Sequence, residues 1–204
     1  MNIDKGHIYH LCNSGNNAQP IFFDRSSYLI FLEKMHIYLL PYVDVLSWCL
    51  LPTQFHLMVY VKETEIEIEG DGLCNYRKRR NLANSVSIML CAYIRTMRKK
   101  ITGNFFQHST EAVCLTDATY AIPAWYLMEY GSVHSKDNTE KEYPQLCFRY
   151  IHNAPIKEGL VKKKEDWEFS SYPDVTGSRK GRLINRERIR EFGLFQAAIN
   201  YSYL

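Results

Sequence analysis

Apolar residues recur along the chain at two periods, one typical of helices and one typical of strands. Apolar side chains three and four positions apart predict helices over 24–39, over about twenty residues that follow the basic run 77–80 and end near residue 100, and over 142–153. Asp24 is a suitable N-cap for the first helix. The charged segment 185–194 favours one more short helix.

Short runs of β-branched, aromatic and aliphatic residues predict the strands. Runs at 43–51 and 55–61 are almost continuously apolar, which is typical of strands at the centre of a sheet. The Pro-Thr pair between them favours an antiparallel hairpin. Residues 8–12 predict a first strand, which a Gly- and Asn-rich turn follows, and 105–115 predict a later one.

Two segments lack such a pattern. Segment 63–76 is acidic and is interpreted as a loop, and 117–141 has no clear period. The predicted division of the chain is one main domain over 1–175 and a basic, helical C-terminal appendage over 176–204.

The net charge of +3 is composed of blocks of opposite sign. Residues 1–76 carry a net charge of −5, 77–100 carry +8, 101–148 carry −4, and 149–204 carry +4. A surface divided in this way can steer a polyanion to one side of a protein. A solvated helix face would give the same charge run, so charge alone leaves both interpretations open.

Six cysteines are scattered along the chain without a Cys-x-x-Cys pair or a zinc-like spacing. Cys49, Cys91 and Cys147 lie in apolar stretches and are expected to be buried. This pattern fits a reducing cytoplasm. The first residues lack the apolar core of a signal peptide, and no apolar run approaches a membrane span.

Two places in the sequence could bind a metal or act as a nucleophile. Gln54 and His56 are two apart on a predicted strand, so they share one face and could share one cation; a plain core histidine is the alternative. Tyr150 lies on the apolar stripe of its helix and is either a buried aromatic or a phenolic nucleophile that needs a metal. Ala154, one turn later on the same helix face, cannot supply a ligand.

Basic residues interleaved with aromatic ones between Arg149 and Arg190 are the third feature, beside the basic block at 77–100. Cations for phosphates and rings for unstacked bases are what single-stranded nucleic acid requires. The alternative is that the aromatic side chains fold the segment back onto the core. The residues predicted to bind DNA are Arg77, Lys78, Arg79, Arg80, Arg95, Arg98, Lys99, Lys162, Lys163, Lys164 and Trp167.

Four motifs occur in the order found in the single-tyrosine HUH transposases. Residues 9–17, YHLCNSGNN, resemble the opening YH…NRGN strand and turn of that family, and 51–59, LPTQFHLMV, resemble its MPNHxHLxV strand. Residues 148–161, FRYIHNAPIKEGLV, resemble its YIHxNPVKAGLV helix end, and 167–172, WEFSSY, resemble the WxxSSY that follows. The resemblance is to the REP-associated tyrosine transposases, within the insertion-sequence-200-like class.

This resemblance implies an α+β, ferredoxin-like fold with helices packed on an antiparallel sheet. It also implies that the protein binds single-stranded or hairpin DNA and cleaves and rejoins it. Tyr150 would be the nucleophile that forms a 5′-phosphotyrosine link, and His56 the second HUH ligand of Mg²⁺ or Mn²⁺. A homodimer and a cytoplasmic, nucleoid-associated location are further expectations.

The departures from the family pattern concern its metal ligands. Gln54 replaces the first HUH histidine, Ala154 replaces a polar ligand, and Ser14 replaces the arginine of NRG. A neutral amide is a weaker ligand than imidazole for many divalent metals, so the metal site is expected to be degraded. An active transposase, a DNA-binding protein that does not cut, and a structural relic are the three alternatives.

Overall fold

The computed structural model describes residues 3–68, 78–100, 105–107, 110–117 and 143–199. Of the segment 117–141, only residue 117 is described, and Arg77 lies outside the described residues. The strands are β1 (Ile8–Ser14), β2 (Val43–Leu51), β3 (Gln54–Val61), β4 (Glu65–Ile68), β5 (Lys78–Asn81) and β6 (Glu111–Cys114). The helices are α1 (Arg25–Tyr38), α2 (Leu82–Met97), α3 (Tyr143–Lys157), α4 (Tyr172–Thr176), α5 (Arg186–Glu191) and α6 (Leu194–Ile199).

The main sheet has the strand order β2-β3-β1-β6, and its neighbouring strands are antiparallel. Along the chain its elements run β1-α1-β2-β3-α2-β6. This β-α-β-β-α-β order with β1 between β3 and β6 is the ferredoxin-like arrangement. The α+β fold class predicted from the sequence is confirmed.

Helices cover both faces of this sheet. Phe55 on β3 contacts Phe31 of α1, with ring centroids 5.0 Å apart, whereas its neighbour His56 contacts Tyr150 of α3 at 5.3 Å. Because adjacent strand residues point to opposite faces, α1 lies on one side of the sheet and α3 on the other. The α2 residue Tyr93 also contacts Phe31, so α2 lies with α1. We name the side covered by α1 and α2 the packed face and the side covered by α3 the site face.

The prediction of a loop over 63–76 is wrong at its start. Residues 65–68 of that segment form β4, and residues 78–81, in the basic run before the second predicted helix, form β5 and pair with β4 in a two-stranded hairpin. Glu67 lies opposite Arg79, and Arg79 also forms an ion pair with Glu65, so this arginine has acidic partners across the hairpin. Asn81 then caps α2 by accepting from the backbone N–H of Asn84.

The predicted end of α3 is also wrong, because the helix continues through Pro155 to Lys157. Gly159 ends it in the left-handed conformation, at φ 67°, and the N–H of Leu160 bonds back to the carbonyl of Pro155. Among the three cysteines predicted to be buried, Cys91 is exposed on α2, while Cys49 and Cys147 are buried.

The C-terminal segment packs on the edge strand β2. The N–H of Asn185 donates to the carbonyl of Val45, and Ser170 bridges to Cys49. Ile184 and Ile189 belong to the same hydrophobic core as the sheet. The division at residue 175 stays a prediction. None of the helices in the described ranges is long and apolar enough to cross a bilayer.

Candidate metal and nucleophile site

The site face brings together side chains from β1 and β3. The register of these strands places Cys12 opposite His56 and His10 opposite Met58. His10 and Cys12 are two apart, so both point to the same face as His56. His10 and His56 are buried beneath α3, and Cys12 is partly exposed.

The two histidines contact each other directly. His10 Nε2 lies 3.1 Å from His56 Nδ1, and the rings are inclined by only 17°. Burial lowers the pKa of both, that of His56 to about 4; for His10 the charge of His56 adds to the effect. Both rings are therefore neutral at pH 7. His56 Nε2 is buried and has no hydrogen-bond partner among the described residues.

Tyr150 lies beside this pair. Its ring meets His56 edge-on at 5.3 Å and His10 at 6.1 Å, and Lys157 Nζ lies 5.8 Å from its centroid. Burial, followed by the nearby Cys12, raises the pKa of Tyr150 to about 12. The phenol is therefore protonated at neutral pH. The predicted nucleophile and the predicted ligand His56 stand together, and their roles stay predictions.

Gln54 contacts a residue that the sequence analysis missed. Its side-chain N–H donates to Glu158 Oε1 at 3.2 Å. Tyr150, Ala154 and Glu158 are spaced by four, so they follow one side of α3 and its end. The sequence could have drawn attention to Glu158, because it stands where the KAGLV motif of the family has alanine.

Mg²⁺ and Mn²⁺ prefer oxygen ligands in octahedral geometry. The amide N–H of Gln54 is directed at Glu158, and Ala154 is a buried methyl group. Of the three ligand positions that the resemblance implies, His56 alone keeps its ligand type. The residues at these positions do not fit a hard-metal site.

A different donor set is present on the same face. His10, Cys12 and His56 offer three ligand atoms that lie within 4.8 Å of one another. Cys12 Sγ also lies 3.7 Å from Glu111 Oε2 on β6. Burial, and then Glu111, raises the pKa of Cys12 to about 12. His10 and Cys12 were missed as ligands, although their i, i+2 spacing on a predicted strand was a usable signal.

The residues predicted to bind DNA fall on separate surfaces. Arg95, Arg98 and Lys99 are exposed at the end of α2, in the helix layer of the packed face. Lys162 and Lys163 are exposed just beyond α3. Among the others, Arg79 pairs with Glu65, Arg80 is half-buried, the Lys164 ammonium lies 5.4 Å from the Tyr172 ring, and the side chain of Lys78 lies outside the described residues.

The aromatic residues of the connector fold back onto the core. Trp167 Nε1 donates to the carbonyl of Leu50, and Tyr172 is buried. His152 Nε2 lies 2.8 Å from Ser171 Oγ, which donates to the carbonyl of Trp48. The YIH and SSY motifs therefore meet in a buried hydrogen-bond network that joins α3 to β2.

Comparison with known proteins gives one structural relative. No family model matches the chain, and no curated protein matches it. A solved structure of a REP-associated tyrosine transposase bound to a REP hairpin matches over 91% of this chain and 92% of its own, with a TM-score of 0.57 and 16% identity. The chain therefore has the fold of a REP-associated tyrosine transposase.

Proposed function

We propose that this chain binds single-stranded or hairpin DNA on the side of the sheet that carries Tyr150. The observation that supports the proposal is the fold, which matches a transposase solved with a hairpin over 91% of the chain. The exposed Lys162 and Lys163 follow the helix of Tyr150 and would contact phosphates there.

Two matched pairs of basic residues test this placement. The variant Lys162→Ala with Lys163→Ala removes charge beyond α3, and Arg95→Ala with Arg98→Ala removes the same charge from the packed-face layer. We expect the lysine pair to weaken binding to a hairpin oligonucleotide and to reduce the salt dependence of log K by roughly one unit per lost phosphate contact. The arginine pair should change binding less.

Binding is measured by fluorescence anisotropy over a range of salt concentrations. Equal losses in the two variants would contradict the placement and would favour the second predicted surface, on α2. Failure of the unaltered chain to bind at low salt would contradict DNA binding itself.

Strand cleavage by Tyr150 is the second candidate function. The position of its ring 5.3 Å from His56 favours it. The contact between Gln54 and Glu158, at a position where the family has a metal-binding histidine, favours binding without cleavage. Cleavage would leave a covalent protein–DNA adduct that is absent in Tyr150→Phe, assayed with Mg²⁺, with Mn²⁺ and with neither.

Restoring the ligand positions sharpens this assay. Gln54→His with Ala154→Asn gives the site its expected donors, and Gln54→His alone avoids placing a larger side chain at the buried position 154. An adduct in the restored variant only would show a binding protein with a lost metal site. An adduct in the unaltered chain would establish the transposase activity. A cytoplasmic, nucleoid-associated location and a homodimer accompany this proposal.

A further inference from the structure

The donors on the site face differ from the ligand positions 54, 56 and 154 that the resemblance implies. We propose that His10, Cys12 and His56 form a binding site for zinc or another borderline-soft divalent cation, and that the carboxylate of Glu111, which lies 3.7 Å from Cys12 Sγ but outside this group of three donors, turns in as the fourth ligand when the ion binds. This inference does not rest on DNA binding, since it concerns the donors alone.

The distances suit a tetrahedral ion. Two nitrogens at 2.0–2.1 Å from one zinc and at the tetrahedral angle lie about 3.4 Å apart, and His10 Nε2 and His56 Nδ1 are 3.1 Å apart. A nitrogen and a thiolate sulfur on the same ion lie about 3.6 Å apart. One ligand atom from each of the three residues lies within 4.8 Å of the other two, so a small movement of the partly exposed Cys12 side chain would bring them to the separations of a bound ion.

The strand register holds these donors in place without the ion. Cys12 is paired with His56 across β1 and β3, and with Glu111 across β1 and β6. Each directly opposed pair has its Cβ atoms about 5 Å apart on one face of the sheet. The ion would therefore join three neighbouring strands, and little backbone ordering would accompany binding.

The donor types select the metal. Imidazole and thiolate favour zinc over magnesium, which prefers oxygen ligands and keeps several waters. Two neutral imidazoles, one thiolate and one carboxylate also balance the charge of a divalent ion, as a largely buried site requires. Neither condition is met at the positions of Gln54 and Ala154.

The protons are accounted for as the ion binds. The Cys12 thiol loses its proton to solvent, and the sulfur then bonds to the metal. One N–H lies between His10 Nε2 and His56 Nδ1 in the metal-free pair. That proton moves to the other nitrogen of its own ring, which leaves both facing nitrogens free to bind. No oxidation or reduction takes place.

Cobalt(II) is the probe, because it adopts the geometry of zinc and reports its ligands by absorption. The full chain, freed of metal with a chelator, is titrated with Co²⁺ and then with Zn²⁺. We expect one equivalent of Co²⁺ to give the strong visible bands of a tetrahedral site and a thiolate-to-metal charge-transfer band. Zn²⁺ should then displace the cobalt and abolish both.

Cys12→Ser should abolish the charge-transfer band and weaken metal binding by more than roughly tenfold, since losing even an outer partner of a ligand costs 10- to 100-fold. Cys91→Ser, an exposed cysteine on α2, is the matched control and should leave both unchanged. Glu111→Gln should weaken binding and keep the charge-transfer band. Far-UV circular dichroism checks that each variant is folded.

Three outcomes would overturn the proposal. The first is octahedral cobalt without a thiolate band in the unaltered chain. The second is a band that survives in folded Cys12→Ser. The third is a loss of affinity in Gln54→Ala as large as in Cys12→Ser, which would place the ion at the HUH positions.

Discussion

The two faces of the sheet are covered by helices but are built from different chemistry. On the packed face, the ring of Phe31 contacts the rings of Phe55 and Tyr93, at centroid distances of 5.0 and 5.2 Å. On the site face, the side chains under α3 include two imidazoles and a thiol beside apolar groups, and Tyr150 contacts both imidazoles. One strand supplies both, since Phe55 and His56 are neighbours on β3.

This difference leads us to expect that the aromatic contacts of the packed face contribute more to the stability of the fold than the contacts at the edge of the site face. The two departures that contact each other, Gln54 and Glu158, both lie at the site face. The aromatic cluster on the packed face fixes the helices that complete the ferredoxin-like unit. We expect substitutions on the two faces to differ accordingly in their effect on the free energy of unfolding.

The largest effect is expected for Phe31→Ala on the packed face. Phe31 is fully buried and contacts Phe22, Phe55 and Tyr93. Removing its ring leaves a cavity and should lower the free energy of unfolding by about 3–5 kcal/mol, measured by urea denaturation. Phe23→Ala is the control: Phe23 is 41% exposed, so its loss should be much smaller. Similar losses at the two positions would refute the importance of the packed face.

A smaller effect, dependent on pH, is expected at His152, which joins α3 to Ser171. Burial, followed by the charge of Lys164, lowers its pKa from 6.5 to about 3. The unfolded chain therefore binds one more proton between these values, and the stability present above pH 6.5 is lost as the pH falls. The loss should be about 1.4 kcal/mol per pH unit for this group, or about 2 kcal/mol at pH 5.

Urea denaturation at pH 7.5 and at pH 5 measures this loss, and His152→Gln isolates it. Glutamine can still donate to Ser171 but does not titrate in this range. Between the two pH values, the free energy of unfolding of His152→Gln should fall by less than that of the unaltered chain, and the difference is the contribution of one histidine. An identical pH dependence in the two proteins would show that His152 does not take up the proton.

The smallest effect is expected for the contact between Gln54 and Glu158 on the site face. This hydrogen bond lies at the surface, so a double-mutant cycle with Gln54→Ala and Glu158→Ala should give a coupling energy below about 1 kcal/mol. Urea denaturation of the four proteins measures it. A coupling of several kcal/mol would mean that the site face also stabilises the fold.

Much of the fold could be predicted from periodicity. The hairpin of β2 and β3, the first helix with its cap Asp24, and the first strand all follow from local patterns. The hairpin of β4 and β5 was missed, because its strands depend on pairing between Glu65–Ile68 and Lys78–Asn81, a contact that local spacing does not encode. The prediction failed at Pro155 because the helix tolerates a buried proline close to its end.

The site could be predicted only in part. The motifs identified Tyr150 and His56, which the fold brings together. Glu111 is brought beside Cys12 by cross-strand pairing of residues far apart in sequence, so no local pattern reveals it, whereas the i, i+2 spacing of His10 and Cys12 was visible. Glu158 is different, since its departure from the family motif was visible in the sequence, as was that of Gln54, but the contact between the two was not.

The segment that follows α3 affects whether the molecule associates with its own copies in concentrated solution. Along β2, the N–H of Leu50 and the carbonyls of Trp48 and Val45 are bonded by Phe169, Ser171 and Asn185. Without them, a nine-residue apolar strand would present open backbone groups to other chains. By occupying these backbone groups, the segment prevents β2 from pairing with other chains, and removing it would favour intermolecular strand pairing and aggregation.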